Sequence, residues 1–344
     1  MDAITTSDVL FLDALHPIAV DGYLIAQGLA DPDEMPCAVT PAGEGNMNVT
    51  LRVTLRGRSL ILKQGRPWVA KYDHIAAPWE RTLVEGAFYE AVRPIAEVAR
   101  QMPTLLHLDA HHHVLALEDL GASGDFTSLY RDPRLEAGHL DALLAWLSAL
   151  SHVSPAASVR AIFKNRAMRV LNHEHIFTLP LMPKNGLDLD GCTPGLAAVA
   201  DLLIRDAAYC TRVEELGRRY LDDGESLVHG DFFPGSWVRT PDGVRIIDPE
   251  FCFLGAREVD YGVMLAHLAL ALADVTPAER VVAAAARDGL DGSLLLGFAG
   301  AEIMRRLIGV AQLPLAHGLE EKRRLLDLSR SLVTAPDRGL TWWS

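Results

Sequence analysis

Leu227-Val-His229-Gly-Asp231-Phe-Phe-Pro-Gly-Ser236, with Ile246-Ile-Asp248-Pro-Glu250-Phe251 shortly after it, is the stretch from which the rest of the chain can be read. An apolar run delivers one carboxylate into a tight turn, and a second apolar run delivers two more on alternate residues. Three acids in that order suit phosphoryl transfer, one to orient an attacking hydroxyl and two to hold magnesium on a nucleotide. Asp231 takes the part of catalytic base or hydroxyl-orienting group. Asp248 and Glu250, read as alternate residues of one strand, point to the same side and share a cation. His229 is expected to hold the loop rather than to act as a second base.

Around this stretch the chain changes character once. Thr6-Ser7-Asp8 is an N-cap signal for a helix through Leu15, and a second helix is expected from Val20 to Leu29. From Ala38 to Leu62 apolar residues alternate, with β-branched side chains and turns at 43–48 and Arg56-Gly57, which argues for an antiparallel meander. Helical periodicity runs from Pro78 to about Val98, followed by strands Thr104–Leu108 and Val114–Glu118. After Gly121 the pattern is helical: Leu140–Leu150, Pro194–Tyr220 (Thr193 as cap), Tyr261–Leu272, Pro277–Ala286 and Leu294–Leu307. The strands around Asp231 and Asp248 are islands in this half. The expected class is α+β, two-lobed in the manner of protein kinases. An N-terminal lobe of residues 1–117 carries the antiparallel sheet and a helix, residues 118–121 form a hinge, and residues 122–344 form a mostly helical C-terminal lobe.

In that plan the N-terminal lobe meets the nucleotide. Gly45, Asn46 and Asn48 lie in the first hairpin, where small residues let backbone N–H groups approach phosphate oxygens. A ligand-free Gly/Asn turn is the alternative for that segment alone. Lys63 closes the strand Leu60-Ile-Leu-Lys63 and calls for an anionic partner, either nucleotide phosphates and Glu85 on the next helix, with Glu80 as second choice, or only solvent at a strand end. Glu118 and Leu120 are expected to offer backbone groups to an adenine edge.

Bulk properties bound the reading. The 344 residues suffice for two cores, and 45 acidic against 32 basic residues give a formal charge of −13. Such a surface repels nucleic acid and anionic membrane, so neither is expected as a partner. Cys37, Cys192, Cys210 and Cys252 lack CxxC spacing, the start of the chain does not read as a signal peptide, and the apolar run Tyr261–Val275 is too short to span a bilayer. A cytoplasmic home is expected.

These residues resemble the aminoglycoside phosphotransferase and choline kinase-like group, and within it the methylthioribose kinases. His229-Gly-Asp231-Phe-Phe-Pro-Gly235-Ser236 is similar to that group's HGDxxxGS loop, and Asp248-Pro-Glu250-Phe-Cys-Phe-Leu-Gly255 to its DPEF and FxG segments. Gly45-Asn46-Met47-Asn48 with Lys63-Gln64 resembles the glycine-rich loop and lysine strand, and Glu302-Ile-Met-Arg305-Arg306 the helix whose arginine pair meets the sugar and the transferred phosphate. The resemblance implies an ATP- and Mg2+-dependent small-molecule kinase with Asp248, Glu250 and Ser236 around the metal and Arg305 and Arg306 on the substrate. Read from the residues alone, the arginine pair on an apolar helix calls for an anion, either a phosphate or carboxylate ligand or an acid of the lobe in a structural salt bridge. Ser236 stands where the wider group has a metal-ligating Asn. The implied acceptor is a small methylthioribose-like sugar, and a homodimer is expected by analogy only. Two alternatives stay open: an aminoglycoside or choline-like amino alcohol as acceptor, and a nucleotide-binding pseudokinase.

Other histidines read more plainly. His173-Glu174-His175 has the wrong spacing for a shared metal and is expected to cap a helix or bond within the core. His111-His112-His113 reads as a solvated turn. Asp260 is expected to brace the catalytic loop through backbone hydrogen bonds.

Overall fold

Alternation in the first third of the chain becomes a five-stranded antiparallel sheet. Its strands are β1 (Ala38–Pro41), β2 (Val49–Leu55), β3 (Arg58–Gln64), β6 (Leu105–Asp109) and β7 (Val114–Glu118), in the order β1-β2-β3-β7-β6. A separate ribbon of β4 (Trp68–Val69) and β5 (Tyr72–Ala76) follows β3 and was not expected from the sequence. The computed structural model describes residues 9–35, 37–43, 47–121 and 124–342. The chain divides into two compact units, Met1–Ser123 and Gly124–Ser344.

In the first unit, the period of two sorts β3 between two faces. Leu60 and Leu62 join Leu51, Val53, Val114 and Ala116 in a core with Val20, Tyr23 and Leu24 of α1 (Pro17–Ala26). Lys63 falls on the opposite face, toward α2 (Arg81–Val92), whose Gly86 passes so near the sheet that an added Cβ would lie 3.0 Å from Leu108 and Leu115. The helix expected through Leu15 does not form over residues 9–15, and its cap lies outside the described residues. Gln64 explains this: its amide accepts from the Leu12 N–H and donates to the carbonyls of Leu10 and His112, tying the segment down as irregular chain. The helical stretch expected from Pro78 to Val98 is α2 and a short α3 (Ala96–Ala99), interrupted around Pro94, whose ring cannot continue a helix.

The second unit is helical, with α4 (Ala137–Ser151), α5 (Arg166–His173), α6 (Leu189–Cys192), α7 (Leu196–Ile204), α8 (Ala207–Leu221), α9 (Glu258–Ala271), α10 (Thr276–Arg287), α11 (Gly292–Ile308) and α12 (Leu319–Thr334). The run expected as one helix from Pro194 to Tyr220 is two, because Asp206 caps α8 by accepting from the Tyr209 N–H. Helices α9 and α11 form the centre, buried over 259–270 and 295–308. They approach closely at Gly262, where an added Cβ would stand 2.9 Å from the Leu295 carbonyl oxygen. Among the described residues no helix is long and apolar enough to cross a membrane. Two small antiparallel pairs are set into this unit: β8 (Ser226–Val228) with β11 (Phe253–Gly255), and β9 (Trp237–Thr240) with β10 (Gly243–Ile246).

Candidate active site

In the first unit the lysine and the helix acid meet. Lys63 Nζ donates to Glu85 Oε2 at 2.5 Å, and their side chains are 8% and 1% exposed. This is a buried pair, not a solvated strand end, and such pairs are disrupted severely when one member is removed. Of the loop residues, Gly45 and Asn46 lie outside the described residues. Asn48 is buried and accepts through Oδ1 from Arg81 Nε at 2.8 Å. Arg81 also donates to the carbonyls of Met47, Arg66 and Pro78. One guanidinium at the head of α2 thus grips the strand entering β2, so the helix bearing Glu85 and the chain next to the loop share a brace.

At the expected hinge, the Glu118 N–H donates to the Thr104 carbonyl at 2.9 Å, and its carboxylate accepts from Thr104 N and Oγ1. The N–H that was expected to meet a base edge is therefore engaged. Leu120 is half-buried, and Asp119 forms a two-toothed ion pair with Arg52. His112 and His113 are not a solvated turn. Asp109 accepts from the His111 and His112 N–H groups and pairs with His112 Nδ1, while buried His113 stacks on Trp79 with ring centres 4.3 Å apart.

In the second unit, β8 leads into the turn that carries Asp231. Gly230 has φ +84°, and a Cβ there would lie 2.2 Å from the Phe251 carbonyl oxygen, so this position requires glycine. Asp260 of α9 accepts from the N–H groups of His229 and Gly230 at 2.7 and 2.9 Å, the brace expected from the sequence. Burial pushes the Asp260 carboxyl up to about 7, opposed by those two N–H donors. Buried His229 donates from Nε2 to the Ile247 carbonyl at 3.0 Å and faces the Asp231 N–H with Nδ1. It ties the loop rather than presenting a base.

The metal segment differs from its reading. Strand β10 ends at Ile246, Asp248 sits in the left-handed region at φ +69°, and Pro249–Phe251 form a 3-10 turn. Asp248 and Glu250 are therefore not alternate residues of one strand, because Pro249 cannot donate to a ladder and stops the pairing. Glu250 is buried and its carbonyl accepts from Asn165 Nδ2 at 3.1 Å. Ser236 Oγ donates to the Asp231 carbonyl at 2.9 Å, which commits its proton to the loop and leaves only lone pairs for a cation.

Asp231 keeps 21% of its side chain exposed and Oδ1 accepts from Arg305 Nη2 at 3.2 Å and Arg306 Nη2 at 3.3 Å. Burial pushes its pKa up, the charges of Arg306 and Arg305 pull it down, and Glu302 and Asp248 raise it further. The arginines are held from behind. Glu302 Oε1 accepts from Arg306 Nε at 2.7 Å and from His267 Nε2 at 3.0 Å. Glu302 Oε2 lies 2.6 Å from Arg305 Nε but without the alignment of a hydrogen bond. Arg305 Nη1 donates to Asn172 Oδ1 at 3.1 Å, and the Arg306 guanidinium stacks 4.7 Å from the Phe233 ring centre. Tyr130 OH reaches His267 Nδ1 at 2.5 Å. Of this group only the arginines and Asp231 were singled out from the sequence. The signal for Glu302 was its place three and four residues before Arg305 and Arg306 on one helix. Nothing in the sequence joins His267, Tyr130 and Asn172 to it.

Burial pushes His267 down to about 4, so the imidazole is neutral at pH 7. The unfolded chain, with a histidine titrating near 6.5, takes up a proton in this window that the folded chain refuses. Stability contributed here is present above that value and falls as pH drops from 6.5 toward 4. Glu302, held well below its usual range by the two arginines against the opposing effect of burial, acts in the same direction at lower pH. Urea denaturation across this window is expected to show a shallower loss for His267→Gln than for the unaltered protein, and equal slopes would refute the assignment.

No protein-family model matches the chain. The methylthioribose kinase of Exiguobacterium sibiricum is 27% identical over 350 residues, covering 87% of this chain and 88% of that one. The methylthioribose kinase of a Geobacillus species is 25% identical over 358 residues, covering 88% and 87%. Among solved structures, a spectinomycin phosphotransferase in complex with ADP and spectinomycin matches with a TM-score of 0.55 at 12% identity, over 96% of this chain and 100% of that chain. An ethanolamine kinase of Plasmodium vivax matches with a TM-score of 0.52 at 10% identity, over 96% and 90%. By sequence the chain is similar to methylthioribose kinases over most of its length, and its fold is the protein-kinase-like fold of the aminoglycoside phosphotransferases and choline kinases.

Proposed function

We propose that this protein transfers the γ-phosphoryl group of ATP to a hydroxyl of a small methylthioribose-like sugar. The observation that carries the reading is the convergence of Arg305 and Arg306 on one oxygen of Asp231. Asp231 would accept a hydrogen bond from the attacking hydroxyl and take up its proton, since a carboxylate raised by burial binds a proton more readily than one in water. The guanidiniums would meet the equatorial oxygens of the phosphoryl group as charge shifts between the attacking and leaving oxygens. Lys63, held by Glu85, would pair with the nucleotide phosphates. Glu118 would offer its carbonyl, and Leu120 a backbone group, to the base.

Mg2+ fits the chemistry of the donors: Asp248 and Glu250 are hard oxygen ligands, and the Asp248 charge is felt at Asp231. When bound, the ion would neutralise charge on the phosphates. Ser236, its proton committed to the Asp231 carbonyl, would turn an oxygen lone pair to the same ion.

An arginine pair beside Asp231 disfavours a cationic acceptor, which argues for a sugar over an aminoglycoside or choline-like compound. The test is ATP with Mg2+ and, in parallel, methylthioribose, spectinomycin and choline, read by mass spectrometry for the gain of one phosphate. Phosphorylation of methylthioribose alone is expected. Turnover confined to the amino alcohols would reverse the assignment, and turnover of nothing in a wider metabolite panel would favour the pseudokinase reading.

A further inference from the structure

Arg306 meets Asp231 through Nη2 alone, and its Nη1 has no protein partner among the described residues. A guanidinium is planar, so its usefulness to a phosphoryl group depends on how that plane is turned. Two contacts set the plane here: Nε–H on Glu302 Oε1 and the ring face of Phe233. We propose that Glu302 is a positioning residue for phosphoryl transfer, which aims Arg306 at Asp231 and at the transferred group while His267 and Tyr130 fix the carboxylate from behind. This rests on the kinase reading above and adds to it a function for three buried side chains that reach the reacting atoms only through others.

The hydrogen-bond directions are determined by the chemistry of the partners. A carboxylate can only accept, so both His267 Nε2–H and Arg306 Nε–H point at Glu302 Oε1. Neutral His267 then has a lone pair on Nδ1, and Tyr130 OH donates to it. The chain therefore runs in one direction, from phenol to imidazole to carboxylate, and cannot be reversed while Glu302 is ionised. Glu302 is 2% exposed and His267 is fully buried, so both are shielded from bulk water. The Phe233 ring lies 5.3 Å from His267 and 4.7 Å from Arg306, which fills the angle between them. Two guanidiniums facing Glu302 and Asp231 make a group balanced in charge, so an amide at position 302 would leave an excess of positive charge and, with its oxygen kept on Arg306 Nε and His267 Nε2, turn its NH2 toward the N–H of Arg305 Nε.

The test is a double-mutant cycle in the full chain. Glu302→Gln is expected to lower kcat by about 30- to 100-fold while the KM for ATP changes by less than about threefold. In an Arg306→Ala background the same substitution should cost less than about threefold, because the residue acts through that arginine. A kcat for Glu302→Gln within about threefold of the unaltered protein, or losses that multiply in the double variant, would overturn the proposal. Should Glu302→Gln lack a cooperative thermal transition, Tyr130→Phe replaces it, since that side chain bonds His267 rather than either arginine. Its expected loss is about five- to tenfold in kcat, absent on Arg306→Ala, and no loss in the otherwise unaltered protein overturns the proposal. Crystal structures of Glu302→Gln, or of Tyr130→Phe in its place, with Arg306 retained separate this proposal from the kinase reading. Arg306 turned away from Asp231 supports it whatever the acceptor proves to be, and Arg306 left in place refutes it.

Discussion

Asp231→Asn is expected to lower kcat by about a thousandfold, the order associated with loss of a positioned general base. The amide keeps the size of the side chain and can still accept from one guanidinium, so the loop should stay folded under its brace from Asp260. What disappears is the negative charge that faces Arg305 and Arg306 and, on the mechanism proposed above, the acceptor of the hydroxyl proton. Nucleotide affinity is expected to change little, because Lys63 with Glu85 and the acids at 248 and 250 are untouched. Calorimetric titration with ADP and Mg2+ measures that affinity, and coupled assay of ADP release measures turnover. A kcat within about tenfold of the unaltered protein would remove Asp231 from the role of base.

Gly230→Ala should be the most damaging substitution outside the charged residues. The residue combines φ +84° with a Cβ position 2.2 Å from the Phe251 carbonyl oxygen, and a backbone oxygen cannot swing aside as a side chain can. A left-handed conformation costs about 1–3 kcal/mol and overpacking adds about as much, so a destabilisation of about 3–5 kcal/mol is expected. The clash lies between the loop bearing Asp231 and the turn bearing Glu250, so activity should fall with stability. Urea denaturation gives the stability directly, and a change below about 1 kcal/mol would show that the turn can rebuild itself around a methyl group.

Parts of this molecule were legible in the sequence for identifiable reasons. Leu60-Ile-Leu-Lys63 could be assigned because a lysine at an alternating position of an apolar strand needs an anion, and Glu85 supplied it. The first three strands could be read because they alternate and the turns between them carry glycine. The separation of Asp248 from a strand was available in Pro249 but was overridden by counting alternate residues. Helix α12 (Leu319–Thr334) was missed because Glu320, Glu321, Lys322, Arg323 and Arg324 make its first turns look like a solvated stretch, although Leu325, Leu326, Leu328 and Leu332 are buried. The break at Asp206 was hidden within a long run of good helix formers. Tyr130, His267 and Asn172 could not be found at all, since they join Glu302 and Arg305 only after α5, α9 and α11 have packed, and no local pattern encodes that meeting.

The ring of His229 has a mechanical meaning beyond its hydrogen bonds. It spans from the turn of Asp231 to the carbonyl just ahead of Asp248, while Asp260 clamps its own backbone N–H. Two acid-bearing bends separated by the β9–β10 hairpin are thereby riveted into one plate. Neither can drift without dragging the other, so a shift at Asp248 is carried through to Asp231.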